Sequence, residues 1–270
     1  MAALTNLILV CCHAIYLGGP SCGVSEEEWL LAPFQPGEVT TFTSHVKTGL
    51  SLLSSSGNSI LVFSGSKTRS ETQKSEARSY LDLCLDNDFW GVFGSGDEDD
   101  GGREGILKRI VLEEQALDSF ANFVLGVLRF WKETGIWPSK ITIISHAFKR
   151  ARFLDLHVKA ARWSMAKVGF VGIDPTYMVM GSDEWDEKRT ERVLRGERER
   201  GYRAWEQDML GCGSVLRGKR RERNFWCVGQ AWFGSEEERV RSGIRLRVVN
   251  DGFGGVEEAL LDEKQPWETE

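Results

Sequence analysis

Small polar residues directly follow the apolar run at residues 60–63 and form a corner of the chain: Ser64, Gly65, Ser66 and Thr68, with Arg69 after them. An apolar run that ends in this way is typical of a buried parallel strand leading hydroxyls and backbone N–H groups into a helix start. Glycine permits close approach of a ligand to the backbone, and a helix N-terminus favours negative charge. The pattern predicts a phosphate- or carboxylate-binding corner, with an ordinary strand-to-helix turn as the alternative.

Polar groups follow three further apolar runs of the chain: His13, Glu113 and Ser145. In an open parallel sheet, residues just past the carboxyl ends of successive strands converge on one crevice. We therefore expect them to share one site with the 64–69 corner. Glu113 and Glu76 are candidate general bases, and His13 is a candidate acid–base group. The alternatives are a surface glutamate and a structural, hydrogen-bonded histidine.

Two residue pairs have the spacing that stacks side chains on the first turn of a helix. Ser119 and Asn122 could hydrogen-bond a sugar hydroxyl or an amine, while Asp118 before them could simply cap the helix. Lys149 and Arg152 lie at a helix start, where cations are unfavourable unless an anion offsets them. We expect this second pair to be uncompensated until a ligand binds, with salt bridges to acidic surface groups as the alternative.

Several other motifs are absent or weak. No HxxxH, HExxH or Cys/His spacing supports a metal site, and no GxSxG, GxxxxGK[ST] or strict GxGxxG motif supports a hydrolase, a P-loop NTPase or a dinucleotide oxidoreductase. The four cations within residues 219–223 could form a nucleic-acid or phosphate patch, but Glu222 interrupts them. Pairing with carboxylates in a folded C-terminal lobe is the preferred interpretation.

The elements that must position these residues alternate between strand and helix. This order predicts an α/β fold with a Rossmann-like, doubly wound, mainly parallel sheet of about five strands and helices on both faces. The predicted strands are residues 7–12, 60–63, 106–112, 141–144 and 168–173. The predicted helices are residues 39–53, a helix opening at Ser70 with a capping box, a helix ending near Gly135, residues 148–163, and a charged surface helix within 182–208.

The predicted organisation is one α/β core, residues 1–180, followed by a charged helical extension, 181–226, that packs on it. No structure is predicted for residues 227–270. Residues 94–105 combine five glycines with five acids, which predicts a mobile loop because little apolar surface is available for burial.

Composition limits the partners and the compartment. The net charge of -6 and the pI near 5.5 argue against nucleic acid and anionic membranes as partners. No stretch approaches the roughly 20 apolar residues of a membrane span. Six cysteines without a CxxC pair are typical of reduced thiols. We expect a cytoplasmic protein whose partner is a small molecule.

Eight strings along the chain carry a family resemblance: CCHAIYLGG (11–19), EEEWLLAPFQPGEVTTFTSHV (26–46), FSGSKTR (63–69), SEA (75–77), LEEQALDSFANF (112–123), FKRARFLDLH (148–157), GIDP (172–175) and DMLGCGSVLRGKRRERN (208–224). By their order and spacing the chain resembles the DUF218 superfamily, which includes the bacterial YdcF, SanA and ElyC types, and looks most similar to its fungal and plant branch. Two positions depart from that pattern, since Ser66 replaces a glycine and Lys149 replaces a histidine. His157 falls within a family string, as His13 does, and is a second candidate acid–base histidine.

The resemblance implies a Rossmann-like module that binds a nucleotide-like small molecule such as S-adenosylmethionine, because one bacterial branch has been associated with that ligand. A second hypothesis is an enzyme acting on a phosphorylated or nucleotide-like metabolite. In that enzyme Glu76 or Glu113 would be the general base, and the cations at 149 and 152 would stabilise anionic charge. A third is a protein whose crevice has lost its chemistry, and fold analogy does not separate the three.

Overall fold

A five-stranded parallel sheet lies at the centre of the computed structural model, which describes residues 3–93, 102–250 and 256–268. Its strands are β1 (Asn6–Cys11), β4 (Ser59–Ser64), β5 (Ile110–Glu113), β6 (Lys140–Ser145) and β7 (Val168–Gly172). Their order is β5-β4-β1-β6-β7, and all four pairings are parallel. Helices cover both faces, so the predicted doubly wound α/β fold is confirmed.

Two small antiparallel pairs complete the described strands: β2 (Ile15–Tyr16) with β3 (Trp29–Leu30), and β8 (Leu246–Asn250) with β9 (Val256–Leu260). The helices are α1 (Val39–Ser54), α2 (Glu76–Asp86), α3 (Gly102–Leu107), α4 (Ser119–Thr134), α5 (Val158–Ala160), α6 (Glu187–Gly196), α7 (Arg203–Gln207), α8 (Ser214–Arg223) and α9 (Glu236–Ser242).

The sheet separates two apolar layers, and β1 supplies alternate residues to each. Leu9 packs in the layer that contains α4, while Val10 packs in the layer that contains α1 and α2. Both side chains are fully buried. Because both faces of the sheet are covered, its strands are continuous apolar runs in the sequence, which is why they were predictable.

The predicted starts of two elements are wrong. The second helix begins at Glu76 rather than Ser70, because the Ser75 hydroxyl caps it by accepting from the N–H of Arg78 at 2.9 Å. The third strand begins at Ile110. Part of the residues assigned to that strand belongs to α3, and the guanidinium of Arg109 holds the chain at the sheet entrance through the carbonyls of the 56–59 turn.

The expected loop at 94–105 is only partly covered by the structure. Residues 94–101 lie outside the described residues, and residues 102–105 form the start of α3, so the loop assignment is wrong for those four.

Helical structure near residue 150 contains a π turn. A 3-10 turn at Ala147–Lys149 leads into a π turn at Arg152–His157 and then α5. The helix ends at Ala160, three residues before the predicted end, and Arg162 there has a left-handed φ of 57°. A second π turn, Glu197–Tyr202, joins α6 to α7 inside the predicted charged helix. π turns of this kind occur frequently at functional sites.

The C-terminal region is part of the main core. Trp205 and Leu216 of the extension pack in the same apolar layer as α4. Residues 227–268, for which no structure is predicted, contribute to that layer as well, through Trp232, Leu260 and Trp267. The chain beyond residue 180 therefore contributes side chains to the hydrophobic core on one face of the sheet.

Candidate ligand-binding site

The predicted site residues lie at the carboxyl edge of the sheet. Ser64 and Glu113 end β4 and β5 and are paired in register, Ser145 ends β6, and His13 follows β1. From β1 the chain proceeds through β4 to β5, and then returns to the other side of β1 with β6 and β7. The winding direction thus reverses between β1 and β6, and ligands of open α/β sheets bind at such a reversal.

A closed hydrogen-bond network occupies the β4 and β5 side; we call Ser64, Glu113 and Asn122 the β4–β5 network. Ser64 Oγ donates to Glu113 Oε2 at 2.5 Å, and Asn122 Nδ2 donates to the carbonyl and the hydroxyl of Ser64, both at 2.9 Å. Glu113 Oε1 accepts from the N–H groups of Gln115 and Ala116 at 2.6 and 3.0 Å. These bonds shape the chain that follows β5.

Burial raises the pKa of Glu113 to about 7, against the opposing effect of its hydrogen bonds. Only 5% of the residue is exposed, and both carboxylate oxygens are already occupied by protein donors. Glu113 therefore positions Ser64 and the following loop, and the structure offers it little capacity to take a proton from a substrate. Its predicted role as general base stays untested.

Backbone N–H groups at the 64–69 corner are already used inside the protein. The first two N–H groups of α2 donate to the carbonyls of Ser66 and Gly65 at 3.0 and 3.1 Å, and the third donates to Ser75 Oγ. The N–H groups of Gly65 and Ser66 donate to the carbonyls of Glu113, at the end of β5, and Ala116, after it. These N–H groups are therefore not free to bind an anion, and the predicted ligand role of the corner stays untested. The buried Ser66 hydroxyl, however, has no hydrogen-bond partner within the described residues.

Gly65 leaves room for the carboxylate of Glu76. A Cβ atom at Gly65 would lie 2.7 Å from Glu76 Oε2 and 3.0 Å from the Cβ of Cys12. Thr68 Oγ1 donates to Glu76 Oε1 at 2.6 Å. The glycine is thus explained by close packing of Glu76, with Thr68 fixing that carboxylate, and Ser66 in place of a second glycine leaves this packing intact.

Three cations from separate segments act electrostatically on the carboxyl of Glu76. Burial raises its pKa, while Arg223, Lys149 and Arg69 oppose the rise, as does the bond from Thr68. Glu76 is thus influenced by charges from the corner after β4, the helical segment after β6 and the end of α8.

Lys149 lies on the β1 and β6 side, and we call His13, Ser145 and Lys149 the β1–β6 group. His13 Nδ1 lies 3.3 Å from Lys149 Nζ, and His13 Nε2 lies 3.3 Å from Ser145 Oγ. Burial, followed by the charge of Lys149, holds the pKa of His13 well below its ordinary value, so a neutral ring accepts from the ammonium.

The Lys149 ammonium lacks a countercharge at close range. Burial, followed by repulsion from Arg152, lowers its pKa to about 8. Across residues 3–93, 102–250 and 256–268, no carboxylate oxygen lies within 4.0 Å of its Nζ. The residue as a whole is partly exposed, although its ammonium is surrounded by protein.

Two histidines without a predicted role pack against His13. The ring centres of His146 and His45 lie 4.4 and 5.5 Å from that of His13. Burial keeps the pKa of both well below the ordinary value, so they are neutral. Within the part of the chain that the structure describes, no group of three or more His, Cys, Asp or Glu residues is arranged to hold a metal ion.

Arg152 already has an anionic partner, which corrects the expectation that it is uncompensated. Its Nε lies 3.2 Å from Glu197 Oε1, within ion-pair distance although the atoms are not aligned for a hydrogen bond. Each residue lies in one of the two π turns. Gly201 makes room for the pair, since a Cβ there would lie 2.7 Å from Glu197 Oε2. Arg152 thus ties the extension to the core.

Ser119 also bonds within the protein, since its hydroxyl lies 2.7 Å from Nε2 of the buried His157. Asp118 caps α4 through the N–H of Ala121 at 2.8 Å, which was the alternative role predicted for it. Asp118 also pairs with Arg220 at 2.9 Å, as expected for the cations at 219–223. The predicted ligand role of Ser119 stays untested.

Comparison with known proteins gives one informative match. No family model matches the chain, and no solved structure matches it. Over 208 residues the chain is 33% identical to the Saccharomyces cerevisiae protein YOR238W, and the match covers 63% of this chain and 67% of the yeast protein. The chain belongs to the YOR238W family. The yeast protein carries the name "uncharacterized protein", so the match identifies a relative without an activity.

Two residues of this YOR238W family member reach the site without having been predicted there. Arg223 donates to the carbonyl of Leu117 at 3.1 Å and acts on Glu76, and Trp226 Nε1 donates to the carbonyl of Arg69 at 2.9 Å. Both lie more than 150 residues from the 64–69 corner in sequence. Local patterns could not place them there, and the resemblance string ending at residue 224 was the available signal.

No helix in the described ranges combines the length and the apolar character needed to cross a membrane.

Proposed function

We propose that the chain binds a small anionic or nucleotide-like ligand at the carboxyl edge of the sheet, with Lys149 as its principal cation. The observation that carries the proposal is the Lys149 ammonium, which is held against a neutral His13 without a carboxylate within 4.0 Å in the described chain. Desolvating a cation in this way is unfavourable. An anionic ligand would supply the missing interaction. Lower stability of the free protein in return for ligand affinity is expected of a binding site.

The surroundings of Lys149 favour a ligand with more than one functional group. Arg69 and Arg223 add positive charge near Glu76, and Ser66 and Thr68 add hydroxyls. Glu76 could accept a hydrogen bond from an amine or hydroxyl of the same ligand. A nucleotide combines such donors with an anion. The DUF218 resemblance adds S-adenosylmethionine, whose carboxylate and amine fit the same description.

A second candidate is an enzyme that acts on such a metabolite, and the environment of Glu76 favours it. Burial raises the pKa of this carboxyl, and its Oε2 lies beside Gly65 while Thr68 bonds the other oxygen. A raised pKa suits a general base better than the ordinary value does. In this mechanism Glu76, rather than the fully bonded Glu113, would take the proton, and Lys149 would stabilise anionic charge.

Calorimetry and thermal melts with inorganic pyrophosphate, ADP and S-adenosylmethionine test the binding proposal. A ligand at 100 times its Kd stabilises a protein by about 2.7 kcal/mol, which a melt resolves. We expect Lys149→Met to weaken binding by roughly ten- to a hundredfold, the value of a charge-assisted hydrogen bond. Lys159→Met, a change at an exposed lysine at the opposite end of the same helical segment, is the control and should bind as the native chain does.

Two outcomes would refute the proposal: none of the three compounds binds, or Lys149→Met binds them as tightly as the control. The enzyme candidate is tested in the same mixtures by following the compounds with NMR. Turnover that disappears in Glu76→Gln while binding persists supports the enzyme, and binding without turnover supports the binding module.

The six free cysteines support the further proposal that the protein works in a reducing compartment, with the cytoplasm as the expected one.

A further inference from the structure

Two aromatic side chains lie outside the core directly after α8. Phe225 is 55% exposed and Trp226 is 37% exposed, whereas the tryptophans of the apolar layers, such as Trp205 and Trp232, are buried. Exposing so much aromatic surface forgoes a large hydrophobic gain. The pair therefore requires an explanation other than packing.

The segment that carries these rings is fixed at both ends. Before it, Arg223 donates to the carbonyl of Leu117, in the chain that follows β5. After it, the side chain of Asn224 closes a turn, accepting from the N–H of Val228 at 2.7 Å and donating to its carbonyl at 3.0 Å. The aromatic residues thus lie on a braced turn between two anchored points.

Trp226 touches the candidate site directly. Its Nε1–H donates to the carbonyl of Arg69, so one edge of the indole is fixed against the corner after β4 while about a third of the residue's surface stays exposed. Arg69, Arg223 and Lys149 all act electrostatically on the carboxyl of Glu76. The indole is therefore hydrogen-bonded to the segment that carries one of the cations acting on Glu76.

We infer that Trp226, with Phe225 beside it, is the stacking surface for the heteroaromatic base of the ligand whose anionic group lies at Lys149. The inference rests on the proposed function and narrows its ligand class to nucleotides and nucleoside derivatives, as opposed to simple phosphometabolites. A planar base gains contact with the indole face whatever its identity, since every base has a π face. The anchored turn means that little ordering is required on binding.

The test compares probes that share an anionic group but differ in the base: ADP with inorganic pyrophosphate, and S-adenosylmethionine with methionine. Binding is measured by calorimetry for the native chain, Trp226→Ala and Trp226→Phe, with Phe34→Ala as the control for truncating an exposed aromatic residue. Base stacking on an aromatic residue corresponds to roughly a five- to hundredfold change in affinity.

We expect Trp226→Ala to lower the affinity for the base-containing probe by that factor and to leave the affinity for the base-free probe unchanged. Trp226→Phe should retain most of the affinity for the base-containing probe, and Phe34→Ala should retain all of it. Binding of the base-containing probe should quench part of the indole fluorescence of the native chain. The same binding should leave the indole fluorescence of Trp226→Phe unchanged, because the stacked indole is no longer present. If Trp226→Ala binds the base-containing probe as the native chain does, the stacking surface is refuted while the anion site stands. If no probe binds the native chain, the stacking surface and the proposed function fail together.

Discussion

The two halves of the carboxyl edge contain similar polar residues but differ in how completely those residues are bonded. In the β4–β5 network, Ser64, Glu113 and Asn122 are buried and joined by contacts of 2.5 to 2.9 Å. In the β1–β6 group the contacts of His13 are 3.3 Å long, and Lys149 has no carboxylate within 4.0 Å among the described residues. We infer that the first half supports the second, and that the second binds the ligand.

Chain topology agrees with this division. The winding direction reverses between β1 and β6, which is where an open α/β sheet leaves a crevice between loops that diverge to opposite sides. Glu113 and Ser64 lie one strand or more away from that point. Polar residues at strand ends are therefore not equivalent, because position relative to the reversal decides which of them can meet a ligand.

The largest expected effect concerns Arg152, which is near Lys149 but is paired with Glu197. Glu197→Ala would leave a largely buried guanidinium without its partner, and we expect a loss of about 3 kcal/mol or more in the free energy of unfolding. Urea unfolding measures it. The double variant Arg152→Met with Glu197→Leu should recover most of the loss. A loss below about 0.5 kcal/mol in the single variant would show that the extension is held by other contacts.

The next effect concerns the β4–β5 network. Glu113→Ala removes the acceptor of two backbone N–H groups and of the Ser64 hydroxyl. Each buried group left unsatisfied costs about 1–3 kcal/mol, so we expect a stability loss of about 3 kcal/mol, with ligand affinity of the folded protein little changed. Glu113→Gln retains an acceptor and should lose less. Unchanged stability together with lost binding would place Glu113 in the ligand site and remove the distinction between the halves.

A smaller effect is expected in the pH dependence of stability. The folded pKa of Lys149, about 8, lies below its ordinary value of 10.5, so the folded state holds fewer protons between these limits. At low pH the buried lysine is charged, and its charge destabilises the folded state. As pH rises the folded protein loses this proton first, so stability should increase from pH 8 to 10.5.

Lys149→Met should lack this increase, which amounts to about 1–2 kcal/mol after allowing for partial exposure. Chemical denaturation of the native chain, Lys149→Met and Lys159→Met at several pH values gives the difference and cancels the other titrating groups. Parallel profiles for all three proteins would mean that Lys149 is solvated like a surface lysine.

Strongly periodic elements were predictable from the sequence, whereas boundaries set by distant contacts were not. The apolar spacing of α1 and α4 and the continuous apolar strands reflect burial directly, and so they were placed within one or two residues, apart from β5. The start of α2 depends on Ser75, which caps the helix and also donates to Glu114. The start of β5 depends on Arg109, which binds carbonyls about 50 residues earlier.

Convergence of the site residues was predictable for the same reason, since each follows a strand. Their bonding partners were not. Arg152 is neutralised by Glu197, and the 64–69 corner is bordered by Trp226, and neither partner is signalled near the residue it contacts. A pattern can place a side chain at a sheet edge, but whether its hydrogen-bonding capacity is already used depends on the whole fold.

The most direct test of the central claim is the pKa of Lys149 itself, measured by NMR with carbon-labelled lysine side chains and assigned by the signal that Lys149→Met lacks. In the free protein we expect a pKa near 8. With the tightest-binding of pyrophosphate, ADP and S-adenosylmethionine at saturation, an anionic group beside the ammonium should raise that pKa toward the ordinary value, because a nearby opposite charge favours the charged form. A pKa of Lys149 that stays the same in the saturated complex would contradict the account, since the ligand would then bind away from the β1–β6 group.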